Sequence, residues 1–169
     1  IYMSRGPSAT TTPEHIRADF AAAIRGAAVV TTEISQLALD TVCEVLDIAR
    51  QAGVQTVLDV DVPPDFCVDI AKLGSRAQLD DALALADIIK PAKSAASQLT
   101  DAGTPEGQAE ALMKRYGARL VAITDGGDGS VATDGQTTLR APAHTINVVD
   151  TTGAGDAFLG GLIAGGYHD

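Results

Sequence analysis

The chain reads as a doubly wound α/β domain: a mostly parallel sheet in a three-layer arrangement with helices on both faces. Two observations carry that reading. Short apolar runs alternate with helical-period segments four times between Glu14 and Thr124. Those runs lack the apolar–polar alternation of a half-solvated sheet, as expected of parallel strands covered on both sides.

The elements follow in order. Thr12-Pro13-Glu14 opens a helix with a capping hydroxyl, a proline in the first turn and an acid behind it; the helix should run to about Gly26. "AAVVTT" (27–32) is the first strand. Ser35 caps a long helix whose Leu39, Val42, Cys43, Leu46 and Ala49 recur at helical spacing. Gly53 stops it, and "VQTVLDV" (54–60) is the second strand. A Pro-Pro loop and helical segments lead to "ADIIK" (86–90), the third strand. Thr104-Pro105-Glu106 repeats the helix start, Gly117 ends that helix, and "RLVAIT" (119–124) is the fourth strand. "GSVATDGQTTLRA" then shows two short polar-alternating runs around Asp134-Gly135, the signature of a hairpin. Ile146 to Val149 supplies a last strand before a final helix. No repeat, low-complexity tract or linker interrupts the 169 residues, which read as one domain or a large part of one.

Bulk composition narrows the function. The formal net charge of -10 argues against nucleic acid, whose binding depends on Lys and Arg neutralising phosphates. A small anionic ligand remains open, because it responds to local charge. Cys43 and Cys67 form no Cys-x-x-Cys pair, so a reducing cytoplasmic setting is expected. No apolar run is long enough to cross a bilayer, and no basic-then-apolar signal segment stands at the start. His15, His144 and His168 lack metal-ligand spacing, and His144 is expected at a strand entrance. Asp80 and Asp81 read as a solvated helix face.

The chemistry concentrates in "VVDTTGAGDAFLGG" (148–161). Ligands of open α/β sheets bind beyond the carboxyl ends of the strands, where loops enter helices. There the backbone N–H groups of Gly153, Ala154 and Gly155, with the helix behind them, can form an anion hole. Asp156 beside a bound phosphate suits a base that takes a proton from an attacking hydroxyl; its plain structural reading is an acid capping a helix after a glycine turn. "TDGGDGS" (124–130) follows the fourth strand and could line a nucleotide phosphate, or be only a glycine-rich turn; its acids do not have EF-hand spacing. There is no G-x-x-x-x-G-K-[ST], and "GAGDAF" lacks the third glycine of the dinucleotide fingerprint, which sets aside a P-loop enzyme and disfavours an NAD-binding oxidoreductase.

"DTTGAGDAF" resembles the D-T-x-G-A-G-D signature of the ribokinase-like, or phosphofructokinase-B, carbohydrate kinases, and "TDGGDG" resembles that family's T-x-G-x-x-G. The two stand in the family's order, one hairpin apart. The resemblance implies that Asp156 is the catalytic base and that Gly153, Ala154 and Gly155 hold the transferred phosphoryl group. It implies ATP contacts at Thr124, Gly126 and Gly129, and a monovalent cation such as K+ near Asp150 and Thr152. ATP and Mg2+ are the implied cofactors, a sugar or sugar acid the implied acceptor, and a homodimer formed through the family's lid the implied assembly. "YMSRGPSATTTPE" is similar to the Y-Y-x-R-x-x-S-A stretch of 2-keto-3-deoxygluconate kinases, which would place Arg5 near a sugar acid.

Three departures stand beside the resemblance. Ala92 and Ala95 occupy the Asn and Glu places of the family's K-x-N-x-x-E, which leaves Asp59 and Asp61 as the nearest acids to serve magnesium. Asp61 and Pro63 replace the Asn and Arg of D-x-N-x-R. Members run to roughly twice this length, so residues 1–169 are expected to be a partial kinase domain without the N-terminal sugar-binding and lid part or the C-terminal end. The function implied is ATP-dependent phosphorylation of a sugar or sugar-acid hydroxyl. The alternatives are a non-catalytic sugar or nucleotide sensor on the same fold, or a nucleoside kinase of the family.

Overall fold

The computed structural model describes residues 6–166. Arg5 and His168 lie outside them.

Helix α1 (Pro13–His15) starts as the sequence indicates: the Thr12 hydroxyl accepts the His15 N–H, and His15 Nδ1 accepts the Thr12 N–H, so the histidine closes a capping box. A π turn over Ile16–Phe20 continues into α2 (Ala21–Arg25). Strand β1 (Val29–Glu33) leads to α3 (Leu39–Gln51). Ala38, not Ser35, holds the cap position of α3; the Ser35 hydroxyl donates instead to Glu33. After β2 (Gln55–Val60) come a π turn over Phe66–Ile70 and α4 (Arg76–Ala84). Strand β3 (Ile88–Pro91) precedes α5 (Lys93–Leu99) and α6 (Pro105–Tyr116), which Thr104 caps and left-handed Gly117 ends. Strand β4 (Leu120–Thr124) and the hairpin of β5 (Ser130–Thr133) and β6 (Thr138–Ala141) follow. The last element is α7 (Ala154–Gly165).

The six strands lie side by side in chain order; β1 to β4 run parallel, β5 returns antiparallel to β4, and β6 pairs antiparallel with β5. Parallel crossovers are right-handed, so strands added always on the same side send every connecting helix to the same face. The main core accordingly joins α3, α4, α5 and α6 to Leu58, Val60, Ile89, Val121 and Ile123 of the sheet. Helix α2 packs beside α3 through Ile24, Ile48, Ala49 and Val30. The other face is covered by α7, whose Leu159, Leu162 and Ile163 meet Val57, Ile88, Val29 and Leu120. The three layers are therefore present but unequal.

Three further expectations change. Residues 146–149 form no strand: Ile146, Val148 and Val149 are exposed, and no described strand pairs with them. His144, in the same irregular stretch, sits at no strand entrance. Asp80 is not simply solvated either; it accepts from the Tyr116 hydroxyl at 2.6 Å and from Arg115 at 3.1 Å, pinning α4 to α6.

Leu58 is completely buried between the sheet and its helices. Leu58→Ala should cost about 2–5 kcal/mol of stability, the usual cost of a lost leucine plus the cavity it leaves. A urea titration checks it, and a loss under about 1 kcal/mol would mean that the sheet relaxes into the space.

Candidate active site

The site begins with a charge inside the sheet. Lys90, the third residue of β3, is fully buried, on the face that α7 covers. Asp59 lies beside it in register on β2. The Lys90 ammonium donates to Asp59 Oδ1 at 2.8 Å and Oδ2 at 2.9 Å, and to Asp61 Oδ1 at 2.8 Å. A buried ammonium without such partners would cost several kcal/mol, so the pairing is obligatory. Burial pushes the Asp59 carboxyl up to about 7 against the pull of Lys90. Burial also opposes the charge on Lys90, but hydrogen bonds to Asp59 and Asp61 outweigh it and hold the ammonium above its ordinary value. One cation serves two carboxylates. Asp59 is the dry one, with both oxygens committed to Lys90; Asp61 keeps a side chain 43% exposed.

The first turn of α7 lies against this cluster. Gly153 holds the left-handed φ of +78° at the cap position, where a side chain would be strained. The Ala154 N–H donates to Thr151 at 3.1 Å, and the Ala157 N–H to Gly153 at 2.9 Å. The Gly155 and Asp156 N–H groups lie between them, at positions that an α-helix leaves without an internal acceptor. A β-carbon on Gly155 would stand 3.1 Å from Lys90 Nζ and 3.5 and 3.6 Å from the Asp61 oxygens. A side chain at 155 would therefore press on the Lys90 ammonium, and glycine leaves it room. Asp156 is exposed one residue on. Asp150 Oδ1 accepts the Thr152 N–H at 2.8 Å, a bond that holds its carboxyl below the usual range and shapes the approach to the turn.

A second glycine-rich turn follows β4. Residues 126–128 form one 3₁₀ turn, Gly126 takes φ +52°, and the Asp125 N–H reaches Gly129 at 2.8 Å. Gly129 has φ +94°, and a β-carbon there would fall 2.1 Å from the Ala141 carbonyl oxygen. Thr124 bridges to Ala92 just beyond β3, and Lys93 pairs with Asp125 at 2.5 Å. Both glycine turns thus stand at the carboxyl ends of the parallel strands, where ligands of such sheets bind.

The sequence-derived residues fall into two groups. Gly153, Ala154, Gly155 and Asp156 form one turn over Lys90, with Asp150 and Thr152 leading into it; Thr124, Gly126 and Gly129 form the other. Ala95 is completely buried in the helix-side core, so the place of the resembled Glu is closed to a solvated acid. Of the two acids left for magnesium, Asp59 is consumed by Lys90. Among the described residues no three His, Cys, Asp or Glu side chains gather as a metal site. Lys90 was not singled out from sequence. Its signal was there: a lysine ending an apolar strand must be paired if buried, and Asp59 stands at the same point of the neighbouring strand.

A parallel sheet whose strand ends meet a helix N-terminus is an arrangement that can receive an anion. Residues 1–168 match the pfkB family of carbohydrate kinases, and the chain belongs to that family. It is 40% identical over 90 residues to an ATP-dependent 6-phosphofructokinase of Thermoanaerobacterium thermosaccharolyticum, covering 53% of this chain and 28% of that one. It is 30% identical over 167 residues to a bifunctional ribokinase/ribose-5-phosphate isomerase A of Fructilactobacillus sanfranciscensis, covering 96% of this chain and 28% of that one. The structure of aminoimidazole riboside kinase from Salmonella enterica, complexed with aminoimidazole riboside and an ATP analog, superposes with a TM-score of 0.63 at 26% identity, over 80% of this chain and 46% of that one. The chain spans less than half the length of each of these relatives.

Two outcomes follow from the geometry. The Asp59 carboxyl titrates near 7 when folded and at an ordinary 3.8 otherwise. Its contribution to stability is therefore full below the lower value and is lost as pH rises through the upper one. Asp59→Asn removes that dependence, so thermal melts of variant and wild type should shift steadily in the variant's favour from about pH 4 to 7 and run parallel above about pH 8. A difference constant across that window would contradict the assignment. Gly129→Ala should cost about 1–3 kcal/mol, because a β-carbon cannot share space with the Ala141 carbonyl; an unchanged urea midpoint would show that the hairpin yields freely.

Proposed function

We propose that the protein transfers the γ-phosphoryl group of ATP to a hydroxyl of a sugar or sugar acid. The observation that carries this is Asp156, exposed on the first turn of α7 directly behind the left-handed Gly153, with the unpaired N–H groups of that turn beside it. The acceptor hydroxyl gives its proton to the Asp156 carboxylate as its oxygen bonds to the γ-phosphorus, and the bond from that phosphorus to the β-bridging oxygen breaks to release ADP. The Gly155 and Asp156 N–H groups, at the positive end of the α7 dipole, hold the oxygens of the group in transit. The turn at Thr124, Gly126 and Gly129 supports the nucleotide. Magnesium would neutralise the phosphates and travel mostly on phosphate oxygens and water. The partly exposed carboxylate of Asp61 lies against the α7 turn, its oxygens 3.5 and 3.6 Å from where a Gly155 β-carbon would stand, and would be the acid closest to hand for the metal's water shell; Asp150 with Thr152 would border a monovalent cation such as K+.

The sugar-acid branch rests on the stretch around Arg5, and cytoplasmic location and dimerisation through a lid are carried by the family resemblance. A sensor that keeps the fold without turnover draws its support from one feature, the burial of Ala95 where the family carries an acid.

Asp156→Asn in the full-length protein should lower turnover by about 10²–10⁴-fold and leave ATP affinity nearly unchanged, since Asn keeps the shape. Coupled ADP-release assays over sugars, sugar acids and nucleosides provide the measurement and identify the acceptor. Turnover equal to wild type in the Asn variant would reduce Asp156 to a cap. A wild type that binds ATP but phosphorylates no acceptor would favour the sensor.

A further inference from the structure

The Lys90 ammonium is the one feature beneath the α7 turn to which phosphoryl transfer, as set out above, gives no task. If β3 needed only to be covered here, an apolar side chain would serve: a buried ion pair is commonly no more stabilising than well-packed apolar residues of similar volume. The strand neighbours Ile88 and Ile89 show that this sheet can supply them. Instead β3 carries a cation and β2 a carboxylate in register with it, and both point to the face that α7 covers. The ammonium also reaches past the sheet. It lies 3.1 Å from where a Gly155 β-carbon would stand, tighter than most real β-carbon contacts, so a side chain at the second residue of the helix and the ammonium could share this space only if one of them moved by a few tenths of an ångström.

We propose that Lys90 is a positioning residue for phosphoryl transfer: its ammonium, fixed from the strand side by Asp59 and Asp61, sets the height and tilt of the first turn of α7, whose N–H groups receive the phosphoryl oxygens. The proposal rests on the kinase reading. Asp59 and Asp61 keep the ammonium from swinging toward the ligand, so it serves through the turn and is not spent on ground-state binding of ATP. Because the transferred group carries its charge on oxygens that shift during transfer, a displaced turn should harm turnover more than nucleotide affinity.

Three variants of the full-length protein test this: Lys90→Met, the triple Asp59→Asn/Asp61→Asn/Lys90→Met, and Gly155→Ala. The single Lys90 change leaves two carboxylates without their cation and can fail to fold; the triple change removes all three charges together. Gly155→Ala raises helix propensity while its new β-carbon pushes against the ammonium. The triple and Gly155→Ala variants should melt near the wild-type temperature. Both should lose about 10–100-fold in kcat, with KM for ATP within about threefold, as expected when a reacting group is misplaced by a fraction of an ångström to an ångström. Wild-type kcat in the folded triple variant would make Lys90 a structural filler and overturn the proposal. If the triple variant does not fold, wild-type kcat in Gly155→Ala overturns it. Wild-type turnover, measured in parallel, separates the two levels: an active wild type with active variants sinks the proposal alone, and an inactive wild type sinks the kinase reading and the proposal with it.

Discussion

One buried ammonium ties two hydrogen-bonded strands to a helix that packs on the sheet through a small apolar patch. Lys90 belongs to β3, its carboxylates come from β2 and the loop beyond it, and its far side is the bare backbone of α7 at Gly155. A charge in that position cannot be left unpaired, so the two strands must keep their register for Asp59 to reach it. Because the partners are short and fixed, the end of the sheet becomes rigid at the point where chemistry would occur. Helix α7, held farther along by Leu159, Leu162 and Ile163, is thereby anchored at its first turn as well.

The topology explains why this anchor is needed. Successive parallel strands added in one direction commit α3 to α6 to one face of the sheet, where they build the large core. Helix α7 has the other face to itself among the described residues, and only a small apolar patch beneath it. A helix with so little to grip would be a poor platform for N–H groups that the proposed transfer needs held to within about half an ångström of the productive geometry. The polar cluster supplies the missing constraint, and its cost falls on Asp59, whose carboxyl burial raises toward neutrality. Asp61, half outside the cluster, retains contact with solvent at the edge of the turn.

Much of this was readable in the sequence, for physical reasons that differ from element to element. The strands were legible because parallel strands buried on both sides are short continuous apolar runs, and the helix from Thr104 to Gly117 because its cap and its left-handed stop are local chemistry. The two glycine turns were legible as motifs, and the structure gives their glycines separate reasons: backbone angle at Gly153, a neighbouring carbonyl at Gly129, an ammonium at Gly155. The run at Ile146 to Val149 misled because β-propensity makes a strand only where a ladder partner exists, and pairing is not written in the run itself. Ser35 misled because a hydroxyl near a helix start has other acceptors, here Glu33. Lys90 escaped notice because pairing across strands joins residues 31 apart in sequence, and only the register of β2 against β3 brings them together. Similarly, nothing in "KPAKSAASQL" announces that Ala95 faces the core.

Crystals of the full-length protein with ADP and aluminium fluoride, a planar mimic of the phosphoryl group in transit, give the most direct view of this arrangement. The fluoride group should sit on the N–H groups of Gly155 and Asp156, with the Asp156 carboxylate on the acceptor side and Lys90 still held by Asp59 and Asp61 beneath the turn. A fluoride group bound away from the α7 N-terminus, or one seated there while Lys90 has left its carboxylates and Gly155 has not moved, would contradict it.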